Sequence, residues 1–341
     1  MSRFSIWSFI SVLVSLGVLG LVLSRADVGA SCRVLAQLDA LRATLPILVT
    51  VAALAVRAWR WQMIFPREIR PPLRSCVSAL AIGNLTNNLA PARGGDLVRC
   101  FLILHVAEPS RAASALATVG VEKVLDGLVL VTIVLASFLV FHPPSWLAHL
   151  SVLAAIGFGA SFLVLLALRC RPAWFPQRLR TYARRLLGLL SPRVISLGRS
   201  FAEGLNAMNS ARHMAALTVL TGLVWASDAA LVWGLATALH LPLSLPNATM
   251  VSAVLGLGLA VPAAPASLGT YELFSVTALG LTGLGVEAAL ALTLLAHAWS
   301  LLATTTTGLL ALGFSGMTVR QLFRRQPLLE GSAPSHCLGR G

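Results

Sequence analysis

Apolar runs of about twenty residues recur along the whole chain, and that length limits what the chain can become, because a helix of about twenty residues crosses a hydrocarbon core of about 30 Å. Such runs cover residues 5–23, 43–64, 124–141, 150–168, 214–238 and 287–315. Most have no polar face of helical period, and a helix that is apolar all round belongs in lipid or in a protein interior. Of 341 residues, 57% are hydrophobic and 11% charged, against about 25% charged in soluble domains. A soluble helical bundle is excluded on these grounds. The expected fold is an all-α polytopic membrane protein with about six transmembrane helices.

Two further apolar stretches, 75–106 and 248–284, are interrupted in the middle. The first reads Asn84-Leu-Thr-Asn-Asn-Leu-Ala-Pro91-Ala-Arg-Gly-Gly-Asp96, the second Val261-Pro-Ala-Ala-Pro265-Ala-Ser-Leu-Gly-Thr-Tyr-Glu272. A helix does not run smoothly through Pro followed by Gly, and each half is too short to span. Both stretches are read as re-entrant broken-helix hairpins, with Pro91, Pro265 and Gly269 at the breaks. Irregular backbone survives at membrane depth only when it is buried in protein or faces water.

The formal net charge of +14 suggests nucleic acid at first sight. The arginines, however, sit in the loops and tails between apolar runs. With the N-terminus in the cytoplasm and each hairpin returning to its own side, 18 arginines lie in cytoplasmic segments and three (Arg25, Arg33, Arg42) in outer loops. That is the positive-inside bias, and a single span in place of either hairpin would worsen it. The expected arrangement is therefore a multi-pass protein of the plasma membrane, with both termini cytoplasmic and no nucleic-acid partner. Each half of this layout reads span, span, hairpin, span in opposite orientation, an inverted repeat of the kind transporters use. The units are 1–145, 146–320 with its basic loop 169–213, and a tail 321–341. Two readings of that loop stand side by side. Leu179, Tyr182, Leu186 and Leu190 at helical spacing among arginines fit an amphipathic helix on the anionic inner leaflet, and a solvated loop fits equally.

The five cysteines are scattered, with no CxxC and no zinc spacing, so no disulfide framework, metal or cofactor is expected. Residues 1–23 are read as an uncleaved first span, since no small-x-small site follows them directly.

Charges at membrane depth are costly and are usually paired or functional. They are Arg57, Arg60, Arg93, Asp96, Arg99, Glu122, Lys123, Asp126, Asp228 and Glu272. Arg57 and Arg60, at i, i+3, either snorkel to the interface or clamp a phosphate with their planar forks. Asp96 either caps the helix after the first break or pairs with Arg99. Glu122 and Asp126, at i, i+4, need a cation, and Arg93 or Arg99 is the natural supplier. The helix N-termini behind the breaks present N–H groups to an anion, while Gly94, Gly95 and Gly269 also permit close helix packing. His297 reads as a packed, hydrogen-bonded residue.

The segment Asn84 to Arg99, then Glu122-Lys-Val-Leu-Asp126, then Pro265-Ala-Ser-Leu-Gly269-Thr-Tyr-Glu272, resembles the lysylphosphatidylglycerol synthase transmembrane, or flippase-like, family. Pro91, Arg93, Gly95, Arg99, Glu122, Asp126, Pro265, Gly269 and Glu272 match the family pattern in order, and Arg57-x-x-Arg60-Trp61 also looks familial. Asp96 stands where the family has Glu, Lys123 where it has Arg, and His297 to Trp299 where it has an arginine. The resemblance implies a role with membrane lipids: phospholipid, hopanoid or polyprenyl-linked. Lipid aminoacylation by the chain itself is not expected, because no catalytic domain follows.

The expected function is an inner-membrane lipid translocase for an anionic or modified headgroup. Arg57, Arg60, Asn88, Arg93, Gly94, Gly95 and Arg99 would bind the headgroup. Asp96, Glu122, Lys123, Asp126, Asp228 and Glu272 would balance charge and gate access. The alternative is a non-catalytic membrane subunit of a lipid-modifying synthase or glycosyltransferase, partnered by a separate enzyme. Cysteine labelling tests the topology: residues 25–42, 142–149 and 239–247 are expected outside, and 65–74, 169–213 and the C-terminal tail inside. An external C-terminus would overturn the orientation.

Overall fold

The computed structural model describes residues 3–67, 70–89, 94–106, 112–140, 144–170, 210–260 and 264–315. Among these residues the chain is wholly helical. Helix α1 (Arg3–Ser24) turns through 83° into the short α2 (Val28–Leu35). Asp27 makes that turn possible, since its carboxylate accepts the Ala30 N–H at 3.0 Å and caps α2. Helix α3 (Thr44–Ile64) leads to the first hairpin, whose arms are α4 (Leu73–Leu89) and α5 (Gly95–Val106). Next come α6 (Ala112–Ser137), α7 (Ser145–Cys170) and α8 (Ala211–Ala238). The second hairpin consists of α9 (Leu245–Gly258), a 3-10 turn at Pro265–Ser267 and α10 (Thr270–Gly280), and α11 (Val286–Ser315) closes the described chain.

Among the described residues four helices are long and apolar enough to cross a membrane, α3, α7, α8 and α11, or five if the bent α1–α2 pair is one span. The chain is a polytopic all-α membrane protein. Two expectations need correction. The connection taken as 25–42 contains a helix, α2, which packs on α11. The helix expected from the apolar run 124–141 begins earlier, at Ala112, as α6. Glu122, Lys123 and Asp126 interrupt the apolar run there and hide the helix, which carries them because each has an ionic partner. The basic segment 178–190, the tail 321–341, Pro91 and Arg93 lie outside the described residues.

Small residues let the arms of each hairpin approach closely, as in membrane helix pairs generally. In the first, a Cβ on Gly83 of α4 would come within 2.9 Å of the Gly95 carbonyl oxygen and 3.2 Å of Arg99 Cβ. In the second, the Phe274 ring of α10 fills the space over Gly258 of α9. Between the hairpins' surroundings the contacts come in matched sets. Arm α4 packs on α11 and arm α9 on α6, while α3 packs on α8. Gly308 of α11 meets α4 so closely that a Cβ there would lie 2.5 Å from Leu85 Cβ. Asn88 Nδ2 donates to Thr304 Oγ1 at 2.8 Å and to Thr305 Oγ1 at 3.2 Å.

The two glycines at the first break are not equivalent. A Cβ on Gly94 meets nothing within 4 Å, whereas one on Gly95 meets the Gly83 carbonyl oxygen and Asn87. Gly94→Ala is expected to leave the melting temperature in detergent unchanged. Gly95→Ala is expected to destabilise by at least about 1–3 kcal/mol, the cost of overpacking a close contact.

Candidate functional site

The charges dispersed along the sequence gather where α3, α5, α6 and α8 meet, in two layers. The inner layer is buried. Arg60 is 1% exposed; its Nη2 donates to Glu122 Oε1 at 3.0 Å, and its Nη1 pairs with Asp126. Arg99 of α5 lies 3.0 Å from the second oxygen of Glu122, an ionic contact without hydrogen-bond alignment. It also lies 3.2 Å from Asp96. Its guanidinium sits over the Trp61 ring, 4.9 Å from the centroid, a cation–π contact strengthened by exclusion of water. Trp61 is locked in turn by its Nε1, which donates to Thr118 Oγ1 at 3.0 Å. Asp126 also accepts from Trp225 Nε1 of α8 at 3.1 Å. Glu122 thus bridges two cations from different elements.

The outer layer faces a cavity of about 640 Å³. Arg57 Nη2 donates to both oxygens of Asp228, at 2.5 and 2.7 Å. These two side chains remain 33% and 27% exposed. Lys123, 47% exposed, reaches Asp96 at 3.3 Å. Among the described residues, Arg57, Arg60, Arg99 and Lys123 therefore face Asp96, Glu122, Asp126 and Asp228, and the cluster is charge-balanced. Arg57, Arg99 and Lys123 line the cavity, whereas Arg60 does not. Arg60 was expected at the interface or on a headgroup; it instead ties α3 to α6 behind the wall.

The second hairpin supplies the opposite wall. Its break holds two non-glycine residues with left-handed backbone, Ala266 (φ 58) and Ser267 (φ 57), followed by Gly269 (φ 79). Each non-glycine residue in that region costs about 1–3 kcal/mol and persists only when its surroundings demand it. Glu272, 2% exposed, makes part of that demand: its Oε2 accepts the Gly269 N–H at 2.7 Å. Its Oε1 lies 2.6 Å from His297 Nδ1 of α11, and His297 Nε2 donates to the Ala266 carbonyl oxygen at 2.9 Å. Tyr271 stacks on the imidazole, with ring centroids 4.2 Å apart.

The helix N-termini behind the breaks are not bare donors. The Gly95 N–H is taken by Asn87 Oδ1 at 2.9 Å, and the Gly269 N–H by Glu272. Asn88 is engaged with Thr304 and Thr305. Asp228, isolated in its own span, finds its partner 171 residues away in Arg57. Sequence reasoning missed Trp225, Tyr271 and Asn87 and gave His297 no functional part. A signal for His297 was present in the spacing. Counted from Asp96 and Glu272, His297 falls close to the position that Glu122 holds in the first half. In each half the second hairpin arm is tied to the following span by an ionisable pair, Arg99–Glu122 and Glu272–His297.

A helical membrane protein with broken hairpins around a buried ionic cavity is the class that this geometry defines. The family model for the lysylphosphatidylglycerol synthase TM region matches residues 8–308, and the chain belongs to that family. No curated protein sequence matches the chain.

Removing one member of a buried ion pair leaves a charge uncompensated and costs about 3–5 kcal/mol. Arg60→Met is expected to lower stability by that amount in denaturant or thermal melts. Lys123→Gln breaks a half-exposed pair and is expected to cost no more than about 1 kcal/mol.

Proposed function

We propose that the chain moves a lipid headgroup across the membrane through the ionic cavity. The observation that carries this reading is the division of the charges around the cavity into buried pairs, Arg60 and Arg99 with Glu122 and Asp126, and partly exposed pairs. The buried layer holds the helices in register. The cavity-facing pairs, Arg57–Asp228 and Lys123–Asp96, are half-exposed and can exchange partners. A headgroup phosphate replaces a carboxylate on the Arg57 fork, which suits two oxygens of one phosphate. Asp228 is then freed to take a cationic group on the same headgroup. Such exchange keeps charge balanced throughout, which low-dielectric surroundings require.

The contacts between the halves support the same reading. Exchanging the two halves maps α4 on α11 onto α9 on α6 and maps α3 on α8 onto itself. That pattern fits an inverted repeat that rocks about a central site. The turn of the second hairpin packs on α4 of the first, and described residues of both hairpins line the same cavity. Membership of a family named for a lipid synthase also supports the alternative, a membrane subunit serving a separate lipid-modifying enzyme.

Proteoliposomes with headgroup-labelled phospholipid separate these readings. Wild-type protein alone is expected to speed transfer between leaflets; a subunit that needs a partner enzyme would not. Arg57→Gln is expected to lower transfer by about tenfold to a hundredfold, the worth of a charge-assisted hydrogen bond. Arg57→Lys is expected to restore it poorly, for want of the fork. Full transfer by Arg57→Gln combined with Asp228→Asn would mean that Arg57 only neutralises Asp228.

A further inference from the structure

His297 sits between two acceptors. The Ala266 carbonyl oxygen, 2.9 Å from Nε2, can only accept, so Nε2 carries a hydrogen. The 2.6 Å contact between Nδ1 and Glu272 Oε1 then needs one more proton. It resides on Nδ1, giving an imidazolium beside a carboxylate, or on Glu272, which donates to a neutral ring. Either way the pair holds one proton beyond the Nε2 hydrogen. Without it, an Nδ1 lone pair would face a carboxylate at hydrogen-bond distance, and the contact would turn repulsive in a buried setting.

We propose that Glu272 and His297 form a proton-binding site in the cavity wall, and that H⁺ bound there holds the second helix break in its observed shape. The site is a property of the chain itself; only what the proton drives rests on the translocation reading. The pair makes two of the three side-chain ties to the strained turn; the third is Thr270 Oγ1, which donates to the Ser267 carbonyl oxygen at 2.9 Å. His297 holds the Ala266 carbonyl, and Glu272 holds the Gly269 N–H. When the proton leaves, the pair passes from neutral to one negative charge and its two members separate. At least one tie is then lost, and the left-handed turn at Ala266 and Ser267 is free to relax. That turn packs on α4, and Ser267, Tyr271 and His297 line the cavity. Water in the cavity gives the proton a path, and loss of the proton reshapes the wall.

Among the described residues, the ionisable groups that neighbour the pair in the cavity wall are Tyr271 and Asp228. Tyr271 stacks on the ring, and Asp228 stands on the same cavity already held by Arg57. From Leu13 onward α1 has no ionisable side chain, and α9 has none. Those of α4 are Arg74 and Cys76, in its first turn, away from the break. On α2 they are Cys32, exposed, and Arg33, paired with Asp27.

The test uses the full chain in lipid bilayers and reads no transport. Nitrogen-15 spectra of histidine-labelled protein follow the ring that is missing from His297→Gln. In parallel, a thiol reagent probes Ser267→Cys in a background with the five natural cysteines replaced, each rate being divided by that of a free thiol at the same pH because only the thiolate reacts. As pH rises, the pair is expected to lose one proton, and labelling at position 267 to accelerate about tenfold, the worth of one hydrogen bond, at the same pH. In Glu272→Gln the amide N–H₂ donates to Nδ1 without a titrating proton while its oxygen still accepts from Gly269. Labelling there is expected to stay slow at every pH, and in Glu272→Ala to be fast at every pH. A pH step that persists in Glu272→Gln would overturn the proposal. So would a His297 ring in wild-type protein that titrates without any change in its contact to Glu272. Loss of lipid transfer with these readouts intact would count against translocation and not against the proton site.

Discussion

Glu122 receives Arg60 from α3 on one oxygen and Arg99 from α5 on the other, and the first half of the molecule is organised around that contact. A carboxylate at membrane depth is costly unless it is fully paired. Two guanidiniums satisfy it, and the pairing fixes the relative height of α3, α5 and α6. Trp61 then packs under Arg99, and Asp126 recruits Trp225 from α8. Association in lipid gains little from the hydrophobic effect, so buried polar contacts and close packing carry the register.

The close packing comes from glycines at chosen heights. Gly83 and Gly95 admit each other's backbones, and Gly308 lets α11 lie against α4. Residues of α4 and of the Pro265–Ser267 turn accordingly line one cavity. A break in lipid would strand backbone donors and acceptors; here Asn87 and Glu272 take the first N–H groups of α5 and α10. One backbone N–H at each break is therefore taken by a side chain of its own hairpin.

The two halves solve the same problem with opposite polarity. The first ties its hairpin to the next span with a cation on the hairpin and an acid on the span, the second with an acid on the hairpin and a histidine on the span. Arginine offers a planar fork of donors, whereas histidine offers two ring nitrogens that can each donate or accept.

Much of this was legible in the residue order. The length of the apolar runs set the helices, since α3, α8 and α11 lie within a few residues of the runs that foretold them. Pro91, Pro265 and the glycines marked the breaks, because no helix continues through them. The ordered pattern from Arg57 to Glu272 pointed to the family that the chain matches. Helix α6 was harder to see, because three charges in its middle imitate a loop when their partners are invisible. The partners themselves depended on tertiary structure. Arg57 meets Asp228 across 171 residues, and Arg60 meets Asp126 across 66; spacing along one helix carries no information about such pairs. Arg57 and Arg60 are near-identical as sequence, three residues apart on one helix. Only the packing of α6 and α8 against α3 turned one into a buried brace and left the other on the cavity, because a helix rotation of about 300° over three residues aims the two side chains at different neighbours.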